Sequence, residues 1–523
     1  METLRWILTI ACALISGLTT VVTVGASEEL VEWRTRALAD LLAERENDIY
    51  SIDWWYVFGA YCLISLLLAD AAAALCLYWP GIPEAIGSGI PEVKAYLNGV
   101  RVKKFNNPSL LAVKIVGSIL SVGSSMAIGM EGPLVMIGAC VGASLAHCGT
   151  VLGWLVLKLK EWKDWWKYGR NTKLASRLSV DIEPESEPIL SWLWVLATSD
   201  LAYFTNAAER RKLITVGAAC GFAASFGAPI GGMLFVMDDI SSFFEDETFL
   251  RILVANSIGT FCLAYYRGNL SEYGAIEFGS YNGADDDSIS ERFREFPFWI
   301  VMGSIGGLFG KFGLEEYESL TGECLRSSAK DLLILDNNLP SASTFVFPKG
   351  GWFCKAFGKL KTSSDKKFNT KGLRMWRISY ISLINSIVMF VLPTMSWVCH
   401  KGELESEAAA HQQFFCKNGE KNQMATIFFG SRAEAIVRIL STPEEYYPYT
   451  LAIVGFVFYG LMLVTNTAAI PSGLFTPIVV SGASLGGAYG LLLKQYIDPK
   501  IDPSAFALLG VGAMMAGVQV CDR

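Results

Sequence analysis

Apolar runs that approach or exceed the length of a bilayer crossing recur along this chain, most of them set off by a polar, charge-rich stretch. The runs 6–24, 54–79, 110–128, 133–157, 215–235, 249–266, 296–312, 378–398, 449–464, 474–493 and 505–518 each carry at most one ionised side chain. Roughly twenty apolar residues suffice for one helical crossing. The pattern predicts an all-α, polytopic membrane protein, because a large soluble enzyme would show far shorter buried segments. Run 6–24 ends at Val24-Gly25-Ala26, which resembles a signal-peptidase site. Its apolar core is long for a signal, so it is read as a retained first helix, with a polar stretch at 27–48 behind it. Segment 189–204 is apolar and Trp-bearing, and is expected on the membrane surface or packed on the protein.

Three of the runs are interrupted by glycine and proline. The breaks are Gly87-Ser88-Gly89-Ile90-Pro91, Gly129-Met130-Glu131-Gly132-Pro133 and Gly473-Leu474-Phe475-Thr476-Pro477. Proline suits a first helical turn, where its missing N–H would have no partner anyway. Bare glycine lets backbone N–H groups approach a ligand, and the positive end of a helix dipole favours an anion there. One break taken alone is most simply a packing kink. Interrupted segments in both halves of a chain are the sequence sign of a transport site at the membrane midplane. Glu131 is a carboxylate at membrane depth, which makes it a functional-site candidate by default. Ser88 adds a hydroxyl donor at the first break.

Composition sharpens this without redirecting it. Of 523 residues, 52% are hydrophobic and 18% charged, and the net charge of −7 sits in loops and says little about partners. Twelve Cys and three His show no ligand spacing, so no metal and no cofactor is expected, and no nucleic acid. Stretches 158–177 and 349–377 are basic, the second with nine Lys/Arg against Asp365, so they are expected in the cytosol. The acidic stretches 269–295 and 399–447 then face the lumen or the outside. The sequon Asn269-Leu270-Ser271 falls on that side as a glycosylation candidate. Cys399 and Cys416 lie in the same acidic region, where oxidation is allowed, and are expected to close a short disulfide loop.

The motifs together resemble the chloride channel and exchanger (CLC) family. Gly-Ser-Gly-Ile-Pro at 87–91, Gly-x-Glu-Gly-Pro at 129–133, Gly-Ala-Pro-Ile-Gly-Gly at 227–232 and Gly-x-Phe-x-Pro at 473–477 stand in the family's order. The resemblance covers nearly the whole chain apart from insertions near 155–200 and 325–375. The stretch from Phe414 to Phe429, and 471–475, resemble the endosomal and lysosomal branch. The resemblance implies two inverted repeats with discontinuous helices, the first over 1–268 and the second over 296–523, in a homodimer with one pore per subunit. It implies that Glu131 is the gate, filling an anion site when ionised and leaving it when protonated. Ser88 would bind the central anion, with serine rather than proline favouring chloride over nitrate. Leu474 and Phe475 would donate backbone N–H groups to that ion. Asp239 stands where exchangers carry the internal proton-transfer glutamate, and Lys114 matches a basic residue near the pathway. The implied function is voltage-sensitive chloride transport across an endosomal, lysosomal or vacuolar membrane, as chloride/proton antiport, by a protein that is not an enzyme.

Three positions depart from the family pattern. Met130 replaces a Lys or Arg beside the gate, which should weaken anion attraction at the outer side. Asp239 is one methylene shorter than the expected Glu. Gly510 to Ala513 resembles the start of the last third of the second repeat, so the chain is expected to be truncated, lacking the last helices with the tyrosine that closes the central site, and the paired cytosolic CBS domains. Two rivals follow: a passive chloride channel, against which Asp239 argues, and a non-conducting truncated subunit that associates with a full-length CLC partner.

Overall fold

The structure is a computed structural model and describes residues 2–43, 52–78, 80–100, 102, 105, 107–147, 206–241, 245–268, 295–309, 371–394, 399–401, 414, 416 and 420–521. Asn269, segment 189–204, the insertion near 155–200 and most of that near 325–375 lie outside these residues. The described chain is almost entirely helical. In order it forms α1 (Glu2–Ala43), α2 (Ile52–Leu77), α3 (Ile90–Leu97), α4 (Pro108–Gly123), α5 (Glu131–Ala146), α6 (Ala207–Phe226), α7 (Pro229–Phe235) and α8 (Asp246–Arg267). The apolar helix α9 (Glu295–Phe309) follows. Then come α10 (Lys371–Val391), β1 (Cys399–Lys401), β2 (Glu420–Asn422), α11 (Gln423–Phe428), α12 (Arg432–Ser441), α13 (Pro448–Thr465), α14 (Phe475–Tyr496) and α15 (Pro503–Cys521). Among the described residues, six helices are long and apolar enough to cross a membrane, and four more are apolar but shorter. The chain is a multi-pass membrane protein.

Four boundaries differ from the hydrophobic pattern. The first helix runs on through the polar stretch to Ala43. Val24, Ser27, Val31, Arg34, Thr35 and Leu38 are buried there, which is one face of a 3.6-residue repeat, while Glu29 and Glu32 lie outside that face. The span expected to end at 128 stops at Gly123, where Ser124 Oγ turns back to donate to Ser121 O at 2.6 Å. The run at 215–235 is two helices, because Gly227 adopts φ +66° as the end of α6 and Pro229 opens α7. The acidic region 399–447 contains α11 and α12. Asn422 caps α11 by accepting from the N–H groups of Met424 at 3.1 Å and Ala425 at 3.0 Å.

The helices pack into two compact units that do not follow chain order. One comprises residues 1–23, 88–115 and 131–276, the other 24–87, 116–130 and 277–523. Each contains the same packing device. In the first, a Cβ on Gly138 of α5 would sit 2.1 Å from Gly217 O of α6, and one on Gly142 would sit 2.3 Å from Leu213 O. In the second, a Cβ on Gly510 of α15 would sit 2.2 Å from Gly482 O of α14, and one on Gly486 would sit 2.2 Å from Phe506 O. Lipid tails are as apolar as side chains, so close backbone contact of this kind replaces the hydrophobic drive of water.

The second unit also holds an aromatic cluster of Tyr61, Phe390, Phe414 and Phe429. Asn422, fully buried, ties this cluster to the strand pair through bonds to Pro393 O at 2.6 Å and Phe414 O at 2.8 Å. The strands β1 and β2 are antiparallel, with Cys399 opposite Asn422. A disulfide joins Cys399 to Cys416 across a Cα–Cα distance of 5.8 Å and a sequence separation of 17. A loop of this size removes enough unfolded-state freedom to stabilise by about 3 kcal/mol. Reduction should therefore lower the melting temperature of the natural chain and leave Cys399→Ser, already lowered, unmoved. Native peptide maps with both thiols alkylated would rule the bridge out.

Candidate anion-binding site

Backbone groups in a broken membrane helix must find partners inside the protein, since no water reaches them there. In the second unit the three breaks supply one another. The Gly87 N–H donates to Ile470 O at 2.9 Å, and the Ser472 N–H donates to Gly87 O at 3.2 Å. Gly129 and Gly473 exchange both bonds, Gly129 N–H to Gly473 O at 2.9 Å and Gly473 N–H to Gly129 O at 2.8 Å. Ser121 of α4 donates to Pro471 O at 2.7 Å and seats the third break. Gly117 faces the same proline, and a Cβ there would meet Pro471 Cγ at 2.8 Å. The helices that follow the breaks open at Ile90, Glu131 and Phe475, two or three residues farther along the chain.

Each opening carries residues singled out by the sequence. Ser88 is half-buried, and its Oγ accepts from the Ile90 N–H at 3.3 Å. Gly89, beside it, has φ +82°, and a Cβ there would sit 2.1 Å from Met136 Sδ of α5. Gly89→Ala should therefore cost on the order of 1–3 kcal/mol for the left-handed backbone alone, before Met136 moves. A melting temperature equal to that of the natural protein would refute this. Glu131 is the first residue of α5, half-buried, with its Oε2 wholly covered. Leu474 is the N-cap of α14, and Phe475 and Thr476 form its first turn. The Thr476 hydroxyl is buried without a hydrogen-bond partner among the described residues, a donor that the motif reading passed over. Met130 is half-buried, with Ser27 Oγ 3.9 Å from its sulfur.

Lys114 is 1% exposed on α4 and interacts electrostatically with Glu92 of α3. Asp239 lies in a π-helical turn, Val236–Ile240, that continues α7. Such turns are frequent at functional positions. Asp238 in the same turn is exposed, while Asp239 is half-buried and meets Lys94 Nζ of α3 at 3.3 Å. Lys94 is 39% exposed, so the pair contributes at most about 1 kcal/mol of stability. Sequence reasoning missed Lys94 and Glu92. The available signal was that they are the two charges on α3, the eight-residue helix that Ser88 precedes. No group of three or more metal-ligating side chains occurs among the described residues.

The family profile described as "Voltage gated chloride channel" matches residues 66–317 and 343–520. The chain belongs to that family. Among its curated CLC relatives, Chloride channel protein CLC-c of Arabidopsis thaliana is 28% identical over 98% of this chain and 56% of its own length. H(+)/Cl(-) exchange transporter 7 of Mus musculus is 26% identical over 99% of this chain and 54% of its own. The chain thus spans about half the length of the curated relatives it matches. Among solved structures, a eukaryotic CLC transporter superposes with TM-score 0.58 at 16% identity, covering 99% of this chain and 66% of that one. A slow cyanobacterial Cl-/H+ antiporter gives TM-score 0.59 at 17% identity, covering 98% and 85%. These two likenesses establish the CLC fold: all-α, with discontinuous helices.

Proposed function

We propose that this CLC chain serves chloride transport across an internal membrane, coupled to proton movement in the opposite direction. The observation that carries the reading is the set of main-chain bonds among Gly87, Gly129 and Ile470 to Gly473, which joins three helix breaks within the second unit. Helix N-termini hold an anion with partial charges, so binding stays weak enough for release. Ser88 and the N–H groups of Leu474 and Phe475 hold the central chloride. Glu131 is the gate, Asp239 receives protons at the cytosolic end, and Lys114 keeps the approach positive. Two such chains pair as a homodimer, each with its own path, in an endosomal, lysosomal or vacuolar membrane. The basic stretches 158–177 and 349–377 lie in the cytosol, and the region holding the disulfide faces the lumen. Voltage sensitivity follows, because exchange moves net charge across the membrane.

Support for exchange over passive flow comes from a carboxylate, Asp239, on the expected cytosolic side, and from a relative whose name states H(+)/Cl(-) exchange. The contact of Asp239 with Lys94 favours the channel reading instead, since a paired acid can serve structure alone. Vesicles containing the protein, a pH dye and an outward chloride gradient decide between them. Proton uptake against its own gradient supports exchange. Chloride flux with no proton movement supports the channel.

A further inference from the structure

The second unit buries a cluster of cationic side chains that the proposed transport path does not use. Arg34 of α1 is 1% exposed, in the polar stretch that continues the first apolar run. A buried cation is costly unless it is paired and hydrogen-bonded, so one left partly unpartnered is a candidate binding group. Its Nη1 donates to Gly123 O, its guanidinium faces the Tyr61 ring with Cζ 5.5 Å from the centroid, and its Nε is buried without a partner. Arg432, half-buried at the start of α12, donates from Nη1 to Ile427 O at 3.1 Å and Phe428 O at 3.2 Å, and from Nη2 to Ser125 O at 3.5 Å. Burial holds the Arg432 guanidinium down at about 10, and the nearby Arg34 cation adds to that. Arg432 therefore stays charged at neutral pH. No carboxylate among the described residues pairs with either one.

The carbonyls that receive these donors are helix ends, apart from Ser125 O, which lies just past the end of α4. Gly123 closes α4, and Ile427 and Phe428 close α11. A helix C-terminus carries at most about half a negative charge. Two such ends offset about one of the two positive charges, which leaves room for one monovalent anion. The surroundings mix rings and hydroxyls: Arg432 Cζ lies 5.2 Å from the Phe458 centroid, Ser65 Oγ and Ser125 Oγ lie 3.3 Å apart, and Ser125 holds φ +64°, a conformation rare outside glycine. Strain of this kind concentrates at ligand sites.

We propose that Arg34 and Arg432 form an outer station for a small monovalent anion of the halide class, apart from the helix-terminus site. Arg432, which keeps some exposure, follows the disulfide-bearing strand pair in the region that loop charge assigns to the non-cytosolic side. The station stands whether transport is coupled or passive.

Crystals of the natural chain soaked in bromide test it without any substitution. An anomalous peak within reach of Arg34 Nε is the expected result. Bromide at the start of α3 or α14 alone overturns the station and leaves the transport reading intact. Bromide at the arginines alone supports the station and counts against the helix-terminus site. A second measurement compares melting in sodium chloride with melting in sodium gluconate. Arg34→Gln should lose a distinct part of the chloride-dependent shift that Ser88→Ala retains. An equal drop in both salts, with the full chloride-dependent shift preserved, would mean that Arg34 only caps Gly123 and would overturn the proposal.

Discussion

Glu131→Gln is expected to keep chloride moving and to bring proton transport to baseline. Glutamine has nearly the shape of the acid, stays neutral, and carries no proton to release. Glu131 opens α5, where the helix dipole favours negative charge, and in the proposed gate its carboxylate would compete with an incoming anion. At about 4 Å and an effective dielectric of 20, two like charges repel by about 4 kcal/mol. Removing the carboxylate charge should therefore raise chloride affinity at the adjoining site by up to about three orders of magnitude, at 1.4 kcal/mol per tenfold. Isothermal titration with chloride reads the affinity, and the pH dye reads the coupling. Continued proton pumping against a chloride gradient by this variant would remove Glu131 from the gate.

Asp239→Ala is expected to separate the two ions from the other end, leaving chloride flux near the natural rate. A proton needs a titratable stop away from the anion path, because an anion-filled pore conducts protons poorly. Asp239 is half-buried and oriented by Lys94 within a π-helical turn, so its position is defined. Asp238 is exposed beside it and shares its charge but not its surroundings. Asp238→Ala should accordingly change coupling little. Equal effects of the two substitutions would mean that general acidity at the end of α7 matters rather than one residue. Unchanged coupling in Asp239→Ala would send the proton by another route.

Much of the architecture was legible in the sequence, and the exceptions have physical causes. The crossings of α2, α8 and α13 follow hydropathy within a few residues, because length and apolarity decide a lipid-facing helix. The extension of α1 did not stand out as a span, since residues 27–43 are polar on one face and buried on the other. Only the helical periodicity of Val31, Arg34, Thr35 and Leu38 gives it away. The early end of α4 depends on Gly123, Ser124 and the distant Arg34, and a hydropathy window cannot see a guanidinium that arrives from another helix. At the candidate site, the three breaks announced themselves through glycine and proline. The pairing of Gly129 with Gly473, and of Asp239 with Lys94, joins residues far apart in the chain through contacts that have no local signature.

The bonds between Gly87, Gly129 and the 470–473 segment run from main chain to main chain. No side-chain deletion can remove them, since every residue except proline carries the same donor and acceptor. Damage has to come from added atoms: a methyl on Gly117 pressing Pro471, or a ring closing the nitrogen of Gly129 or Gly473. A mutational scan of this region should thus look asymmetric. Truncations to alanine in the breaks would leave the fold intact, those at Ser88 and Glu131 altering transport alone, while gains of bulk at a few glycines would score as null. Sequence in such a centre is free to drift as long as it stays small, and a family can diversify what it carries without rebuilding what holds the helices open.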